Sequence, residues 1–308
     1  LSTFTLNVAK EGINMGYLYI CTLILLGIAF MLFKKSDEKL NFIKWICIFV
    51  VGIYAYNISL CMILGVLHIT QNIWLLSLIN IIIGVILLYK PIRKHEYQKY
   101  KCSKLDIIAI AIIFVFFGVM FVKDLYIWNG DISHWAVDSA IHYRAAEHYS
   151  KNLNLFVFLE DKTFFNFNIM QTGAYINDGI FMNVINSITG IEKIYLYQIF
   201  ETLTLFASGL ALYAFFADRI KTKRGLIGSL ILFGLYMYGY PYNSWMYGFS
   251  YLSVGICMVT LLISIVEMLF SKENKKKSVI ITMIVMASMG LIFSYCLFVP
   301  AVFASICI

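Results

Sequence analysis

The chain has 308 residues, of which 61% are hydrophobic and only 13% are charged, and its formal net charge is +7. Charged residues make up about a quarter of an ordinary soluble domain, so this composition excludes a soluble globular protein and indicates a membrane protein. The positive charge does not indicate nucleic-acid binding, because the basic residues gather in short loops between apolar runs, as they do in membrane proteins.

Eight apolar runs have about the length that crosses a bilayer, which is roughly 17–25 residues. In chain order they are Met15–Phe33, Phe42–Val66, Ile73–Tyr89, Leu105–Val122, Ile194–Phe216, Leu226–Tyr240, Tyr251–Phe270 and the stretch from Val279 onward. We interpret the first run as a retained helix and not as a signal peptide, since no basic region precedes it. The sequence therefore predicts an all-α, polytopic transmembrane helical bundle of about eight or nine spans. Because the last apolar run is still open at Ile308, we expect an N-terminal fragment of a longer chain.

Loops that are rich in lysine and arginine alternate along the chain with loops that contain few or none. The connections 34–41, 90–104, 217–224 and 271–278 hold 17 of the 24 Lys and Arg residues, whereas His68–Asn72 and Pro241–Ser250 hold none. Short loops that are rich in Lys and Arg stay on the cytoplasmic side of a membrane. The pattern predicts a multi-pass protein of the cell membrane whose N-terminus and long segment 123–193 are extracytoplasmic.

The basic loop 90–104 marks a boundary in the chain. We predict an N-terminal three-helix membrane region at 1–104 and a C-terminally incomplete membrane core at 105–308, which includes the outer loop 123–193. That loop is too long and too aromatic for a simple linker. Helical spacing predicts an amphipathic interfacial helix from Asp138 to about Asn152, with Asp138 as its N-cap. A second helix is predicted over about Asn168–Ile188, ending near Gly190.

The outer loop opens on an unusually polar segment, Trp128–Ser150. Its polar residues are Asp131, His134, Asp138, His142, Arg144, Glu147 and His148, and they include three of the five histidines of the chain. On a helix, positions 138, 142, 145 and 149 share one face, so the sequence predicts that Asp138 and His142 point the same way. The residues at 131 and 134 belong to the preceding loop, and those at 144 and 148 lie on an adjacent stripe.

This group of side chains suits chemistry on an anionic substrate. It offers a general base, cations for an anionic leaving group, and ligands for a divalent cation such as Mg²⁺ or Mn²⁺. The alternative for each residue is structural: Asp138 is then only a helix cap, Glu147 pairs with Lys151, and the histidines belong to an amphipathic surface.

Other polar features allow two interpretations each. Glu160, Asp161 and Asp178 are expected mainly on the solvated surface, with contact to a sugar or a metal as the alternative. Glu201 lies within a predicted span, where an acid is either functional or held in a structural hydrogen bond. The uncharged aromatic loop 239–251 suits stacking on a sugar ring as well as an ordinary aromatic belt.

A membrane helix is followed in this chain by an outer Asp-xxx-His-Tyr-xx-Ala segment, a second amphipathic stretch and a helix that ends in ALYAFF. The residues that carry this order are Asp138, His142, Tyr143 and Ala146, then Gln171–Gly190, within roughly Leu105–Phe216. The order resembles that of the GT-C superfamily of membrane glycosyltransferases. The chain departs from the simplest pattern, because three predicted helices precede the core and Ser139 replaces the second acid of the usual Asp-Glu pair.

The resemblance implies an enzyme that transfers a sugar from a polyprenyl-phosphate donor to a glycan or protein acceptor on the extracytoplasmic side. It implies Asp138 as the base or a metal ligand, with Asp131 as its substitute, and His142 as a further metal ligand. The implied substrate-binding residues are His142, Tyr143, Arg144, His148 and Lys193. Two other classes stay open: a transporter, flippase or polymerase of lipid-linked glycans, and a noncatalytic membrane scaffold or sensor.

Overall fold

The computed structural model describes residues 2–33, 39–95, 97–128, 137–152 and 172–197, together with isolated positions between 199 and 231. The helices described are α1 (Ser2–Phe33), α2 (Phe42–Val66), α3 (Ile73–Lys94), α4 (Lys104–Trp128), α5 (Val137–Asn152) and α6 (Thr172–Thr189). Two short strands, β1 (Leu40–Asn41) and β2 (Tyr100–Lys101), pair in parallel. Apart from this strand pair, the all-α prediction is confirmed for these residues.

Three of the helices are long and apolar enough to cross a membrane, over Met15–Leu32, Phe42–Gly65 and Ile73–Lys94. They correspond to the first three predicted spans. The run predicted as the fourth span is helical as part of α4. The later predicted spans fall on residues that are described only at isolated positions or lie outside the described part, so a total of eight or nine stays a prediction.

Side-chain caps fix where the helices begin. Asn41 accepts a hydrogen bond from Lys44 N at the start of α2, and Asn72 accepts one from Leu75 N at the start of α3. At the start of α4, Asp106 N donates to Ser103 Oγ and Ser103 N donates back to Asp106 Oδ2, which is a capping box. Hydropathy marks only the apolar part of a helix, and the helical backbone can continue beyond it, so α1, α3 and α4 are longer than the apolar runs that predicted them.

Two hydrophobic clusters hold the helices together. The first contains Tyr19, Cys61, Leu76, Tyr149 and Ile180, and it therefore joins α1, α2 and α3 to α5 and α6. The second contains residues of α2 and α4 together with positions between 210 and 230. The region predicted as 1–104 and the outer loop predicted within 105–308 thus share one packed core.

The packing of α6 differs from the interfacial position that we predicted. Every residue from Tyr175 to Ile180 is buried, whereas an interfacial helix keeps one polar face in water. Asn177 accepts a hydrogen bond from Asn57 Nδ2 over 3.1 Å and donates to Tyr54 O over 3.2 Å. Tyr54 is at the middle of α2, about 18 Å from its C-terminal end at 1.5 Å per residue. The segment of α6 from Tyr175 to Ile180 is therefore enclosed by other helices.

Different segments are hydrogen-bonded to each other at the two ends of α2. At the start of α2, Asn41 donates to Asp106 Oδ1 over 3.0 Å, and Tyr213 OH donates to the same oxygen over 2.6 Å. At the other end of α2, Gln71 Nε2 donates to Cys61 O over 2.7 Å and Gln71 Oε1 accepts from Tyr149 OH of α5. Helix α5 therefore meets the end of α2 that lies away from the basic loops.

Candidate functional site

Helix α5 carries most of the residues that the sequence singled out. It spans Val137–Asn152, so it begins one residue earlier than predicted, and Asp138 is its second residue instead of its N-cap. For Asp138 and His142 the structure gives the place in the helix, while their side chains lie outside the described part. Asp131 and His134 also lie outside the described residues. The predicted helix is confirmed, and the predicted convergence of its acids stays a prediction.

One stripe of α5 is anchored in the core. Ala145 and Tyr149, which share the 138–142–145–149 stripe, are fully buried. Burial raises the pKa of Tyr149 well above its usual value, so its hydroxyl keeps its proton and donates to Gln71. The stripe that includes positions 138 and 142 is therefore set in a fixed orientation by two buried residues further along the same helix.

Gly179 explains how closely α6 approaches α5. A Cβ at this position would lie 2.7 Å from Tyr149 Cδ1 and 3.0 Å from Ala146 O. One turn further along both helices, Asn183 Nδ2 donates to Ser150 O over 2.8 Å. Because Ala146 faces Gly179 and Ser150 faces Asn183, the two helices run parallel at this contact. Helix α6 therefore packs along the buried face of α5.

A second group of polar side chains lies beside Lys193. Lys193 Nζ donates to Ser150 Oγ over 2.9 Å, and Ser150 Oγ donates to Glu147 O over 2.7 Å. Glu147 also forms an ion pair of 3.0 Å with Lys151, as the structural alternative predicted. Lys193 is half-buried, so this cation is held against the C-terminal half of α5.

The electrostatics of this group follow from burial. Desolvation lowers the pKa of Lys193, while the Glu147 carboxylate raises it and the Lys151 cation lowers it further. Desolvation and then the Glu147 carboxylate raise the pKa of Tyr143 to about 12. The Tyr143 ring also packs edge-on against Tyr197, with 5.6 Å between ring centroids. Tyr143 therefore stays protonated at physiological pH, and its hydroxyl hydrogen-bonds to the Glu147 carboxylate.

The other predicted residues are placed as follows. Arg144 is exposed and His148 is half-buried, on stripes of α5 next to the anchored one. Asp178, expected mainly on the solvated surface, is instead buried in α6, with a relative exposure of 2%. That expectation was wrong because α6 is enclosed by other helices. Glu160, Asp161, Glu201 and the aromatic loop 239–251 lie outside the described residues.

A metal site is not seen in the described part of the chain, where no group of three or more His, Cys, Asp or Glu side chains could hold an ion. The residues predicted as metal ligands, Asp138, Asp131 and His142, have side chains outside that part. The carboxylates and imidazole of these residues suit a divalent cation by their chemistry.

Sequence reasoning missed several residues that shape the site, among them Gln71, Ser150, Asn177 and Asn183. Each makes a hydrogen bond to a residue more than 30 positions away or to the main chain of another segment. For Asn177 and Asn183 the sign was their position among apolar residues, where polar groups require a partner, whereas Gln71 and Ser150 lie in polar segments that carry no such sign.

Comparisons with protein-family models, with curated proteins and with solved structures found no match to this chain. The assignment of function therefore depends on the chemistry of the residues themselves.

Proposed function

We propose that this protein is an integral membrane glycosyltransferase that moves a sugar from a polyprenyl-phosphate donor to a glycan or protein acceptor on the extracytoplasmic side. One observation carries the proposal. The helix that bears Asp138 and His142 on one stripe has the further residues of that stripe, Ala145 and Tyr149, locked in the core. A catalytic carboxylate needs a fixed orientation of this kind.

The reaction requires little beyond positioning and proton transfer. The acceptor hydroxyl oxygen forms a bond to the anomeric carbon of the sugar, and the bond from that carbon to the phosphate oxygen breaks. Asp138 takes the hydroxyl proton as general base, with Asp131 as the substitute, and the lipid phosphate leaves with the electron pair. Such proton transfer contributes roughly 100- to 10,000-fold to the rate.

The cations beside α5 have the chemistry to bind the leaving phosphate. Lys193 is held by Ser150 in a half-buried position, where its attraction for an anion is screened less than at a bare surface. Arg144, His142 and His148 are the other candidates, and the Tyr143 hydroxyl oxygen can accept a hydrogen bond from a sugar hydroxyl. The apolar helices offer the lipid tail a bilayer-like surface. We further propose that the end of the bundle bearing Gln71 and α5 faces away from the cytoplasm, because the basic loops gather at the other end.

The test is sugar transfer by the purified full-length protein, supplied with labelled polyprenyl-phosphate sugars and an acceptor fraction from the membrane. Asp138→Asn is expected to lower transfer roughly 100- to 10,000-fold while the protein still inserts and folds. Lys151→Gln, which changes an exposed residue on the same helix, is the control and is expected to keep most of the activity. Full activity in Asp138→Asn would overturn the assignment of the base.

A second candidate function, a transporter, flippase or polymerase of lipid-linked glycans, has one observation in its favour. Asp178 and Asn177 are buried side by side in α6, close to the middle of α2, and polar groups at such depth often line a path. The same preparation distinguishes the two. Movement of labelled lipid-linked glycan across a vesicle membrane, without formation of a new glycosidic bond, supports transport. A new bond formed by a single sugar from a polyprenyl-phosphate donor supports the transferase, whereas a new bond between two lipid-linked glycans supports the polymerase.

A further inference from the structure

The pairing of β1 with β2 sets lysines side by side. Leu40 pairs with Tyr100 and Asn41 with Lys101, and Leu40 N donates to Lys99 O over 3.1 Å. Lys39 and Lys99, which precede the first pair, are therefore neighbours across the two segments, at about the 5 Å spacing of adjacent strands. Lys39, Lys99 and Lys101 are all exposed.

The protein does not neutralise these three charges within its described residues. The buried carboxylate of Asp106 is occupied, since it accepts hydrogen bonds from Ser103, Asn41 and Tyr213. In the part of the chain that the structure describes, no carboxylate lies within ion-pair distance of the three lysines.

Cations are in excess over the wider sequence as well. The two loops 34–41 and 90–104 contain nine Lys and Arg residues and only three acids, Asp37, Glu38 and Glu96. Like charges on neighbouring strands repel each other, so a mobile anion at this place stabilises the pairing.

The position of the lysines specifies which anion is available. Strand β1 directly precedes the apolar helix α2, and Tyr100 OH of β2 donates to Met31 O over 2.6 Å, next to the end of the apolar stretch Met15–Leu32. The lysines therefore lie at the level where the apolar helices end. In a bilayer, the phosphates of the lipid headgroups lie at that level.

We propose that Lys39, Lys99 and Lys101 form a binding site for the phosphate of an anionic phospholipid headgroup. Exposed apolar residues such as Ile107 and Ile108, at the start of α4, offer a surface for acyl chains beside the same loops. The site lies at the opposite end of α2 from Tyr149 and the proposed transfer site, so it does not depend on the proposed function.

The experiment measures lipid binding by native mass spectrometry of the purified full chain, titrated with phosphatidylglycerol or with phosphatidylcholine of equal chain length. The wild type is expected to bind the anionic lipid at least tenfold more tightly. Each Lys→Gln change at 39, 99 or 101 is expected to weaken that binding about fivefold, since each basic residue near the membrane surface contributes about 1 kcal/mol of attraction to anionic headgroups. Lys151→Gln, an exposed lysine on α5, is the matched control and is expected to leave binding unchanged.

Several results of these measurements would contradict the lipid site. Equal affinity for the two lipids, or equal losses in Lys99→Gln and Lys151→Gln, would overturn the proposal. Competition by millimolar inorganic phosphate that removes the lipid would show a free-anion site and would overturn the assignment to lipid. Should a Lys→Gln variant not fold, the wild type alone still tests the proposal. Its affinity for phosphatidylglycerol must then fall steeply with salt concentration, and a salt-independent affinity contradicts it.

Discussion

Asn57 of α2 donates a hydrogen bond of 3.1 Å to Asn177 of α6, and both side chains are buried. Tyr19 OH of α1 donates to the Oδ1 of the same Asn57, also over 3.1 Å. These contacts connect three helices through groups that have no water to replace a lost partner. One further buried amide connects α1, α2 and α3, since Asn80 accepts from Tyr56 OH and donates to Thr22 Oγ1.

Replacing one member of the Asn57–Asn177 pair is expected to destabilise the protein. Asn177→Leu leaves the buried Asn57 amide without its acceptor and removes a hydrogen bond to Tyr54 O, at a cost of about 1–3 kcal/mol. The measurement is equilibrium unfolding in detergent by a denaturing surfactant. A double-mutant cycle with Asn57→Leu is expected to show coupling of about 0.5–2 kcal/mol, because the double variant leaves fewer unpaired groups. Strictly additive losses would contradict the pairing.

The close contact of α5 with α6 predicts that Gly179→Ala destabilises the fold. The added methyl would overlap the Tyr149 ring and the main-chain oxygen of Ala146, and only the ring can move away. Overpacking of this kind costs about 1–3 kcal/mol. Gly52→Ala on α2 is the matched control, because a Cβ there meets nothing within 4 Å. The control is expected to be neutral or slightly stabilising, since alanine is the better helix former. Equal unfolding temperatures for both variants would contradict the tight packing.

Tyr143 predicts a change in stability at alkaline pH. Its pKa is raised from 10.0 to about 12, so the folded protein keeps a proton that the unfolded chain releases. The stabilising contribution is therefore complete below pH 10.0 and is lost as the pH rises through about 12. Tyr143→Phe is expected to lose less stability over this window than the wild type, as measured by a pH series of unfolding temperatures. Tyr195→Phe, which changes an exposed ring, should follow the wild type, and identical slopes for all three proteins would contradict the prediction.

Lys193 predicts a selective loss of donor binding if the proposed function holds. Lys193→Gln keeps a hydrogen-bond donor near Ser150 but removes the charge, and the loss of a charged hydrogen bond to phosphate lowers kcat/KM roughly 10- to 100-fold. Most of this decrease in kcat/KM is expected to come from a higher KM for the lipid-linked donor, with a smaller change in kcat. Lys151→Gln serves as control, because its exposed cation is paired with Glu147. A loss of the same size in both variants would argue against a phosphate contact by Lys193.

The sequence predicted those features that depend on neighbours along the chain. The spacing of Ala145, Ala146 and Tyr149 placed α5 to within one residue of its observed start. The ion pair of Glu147 with Lys151 followed from their separation of four residues on a helix. Both features depend on residues that are close together in the chain, and their spacing can be read from a single sequence.

The environment of α6 could not be predicted in the same way. Asn177 and Asp178 look like the polar face of a surface helix when their partners are unknown. Their burial depends on contact with α2. The hydrogen-bonded residues Asn57 and Asn177 are 120 positions apart in the chain. The contact of Lys193 with Ser150 was missed for the same reason, because the two residues are 43 positions apart and the sequence does not show that they approach each other.

The long separation between Asn57 and Asn177 also sets an order for biogenesis. When α1, α2 and α3 have left the ribosome and entered the bilayer, the Asn57 amide protons face hydrocarbon or a neighbouring helix, because their acceptor has not yet been translated. The membrane insertion machinery must therefore hold an unfinished, polar groove between α1 and α2 until α6 arrives. The amide that binds α6 in the finished protein thus lacks its acceptor while the first three helices are being inserted.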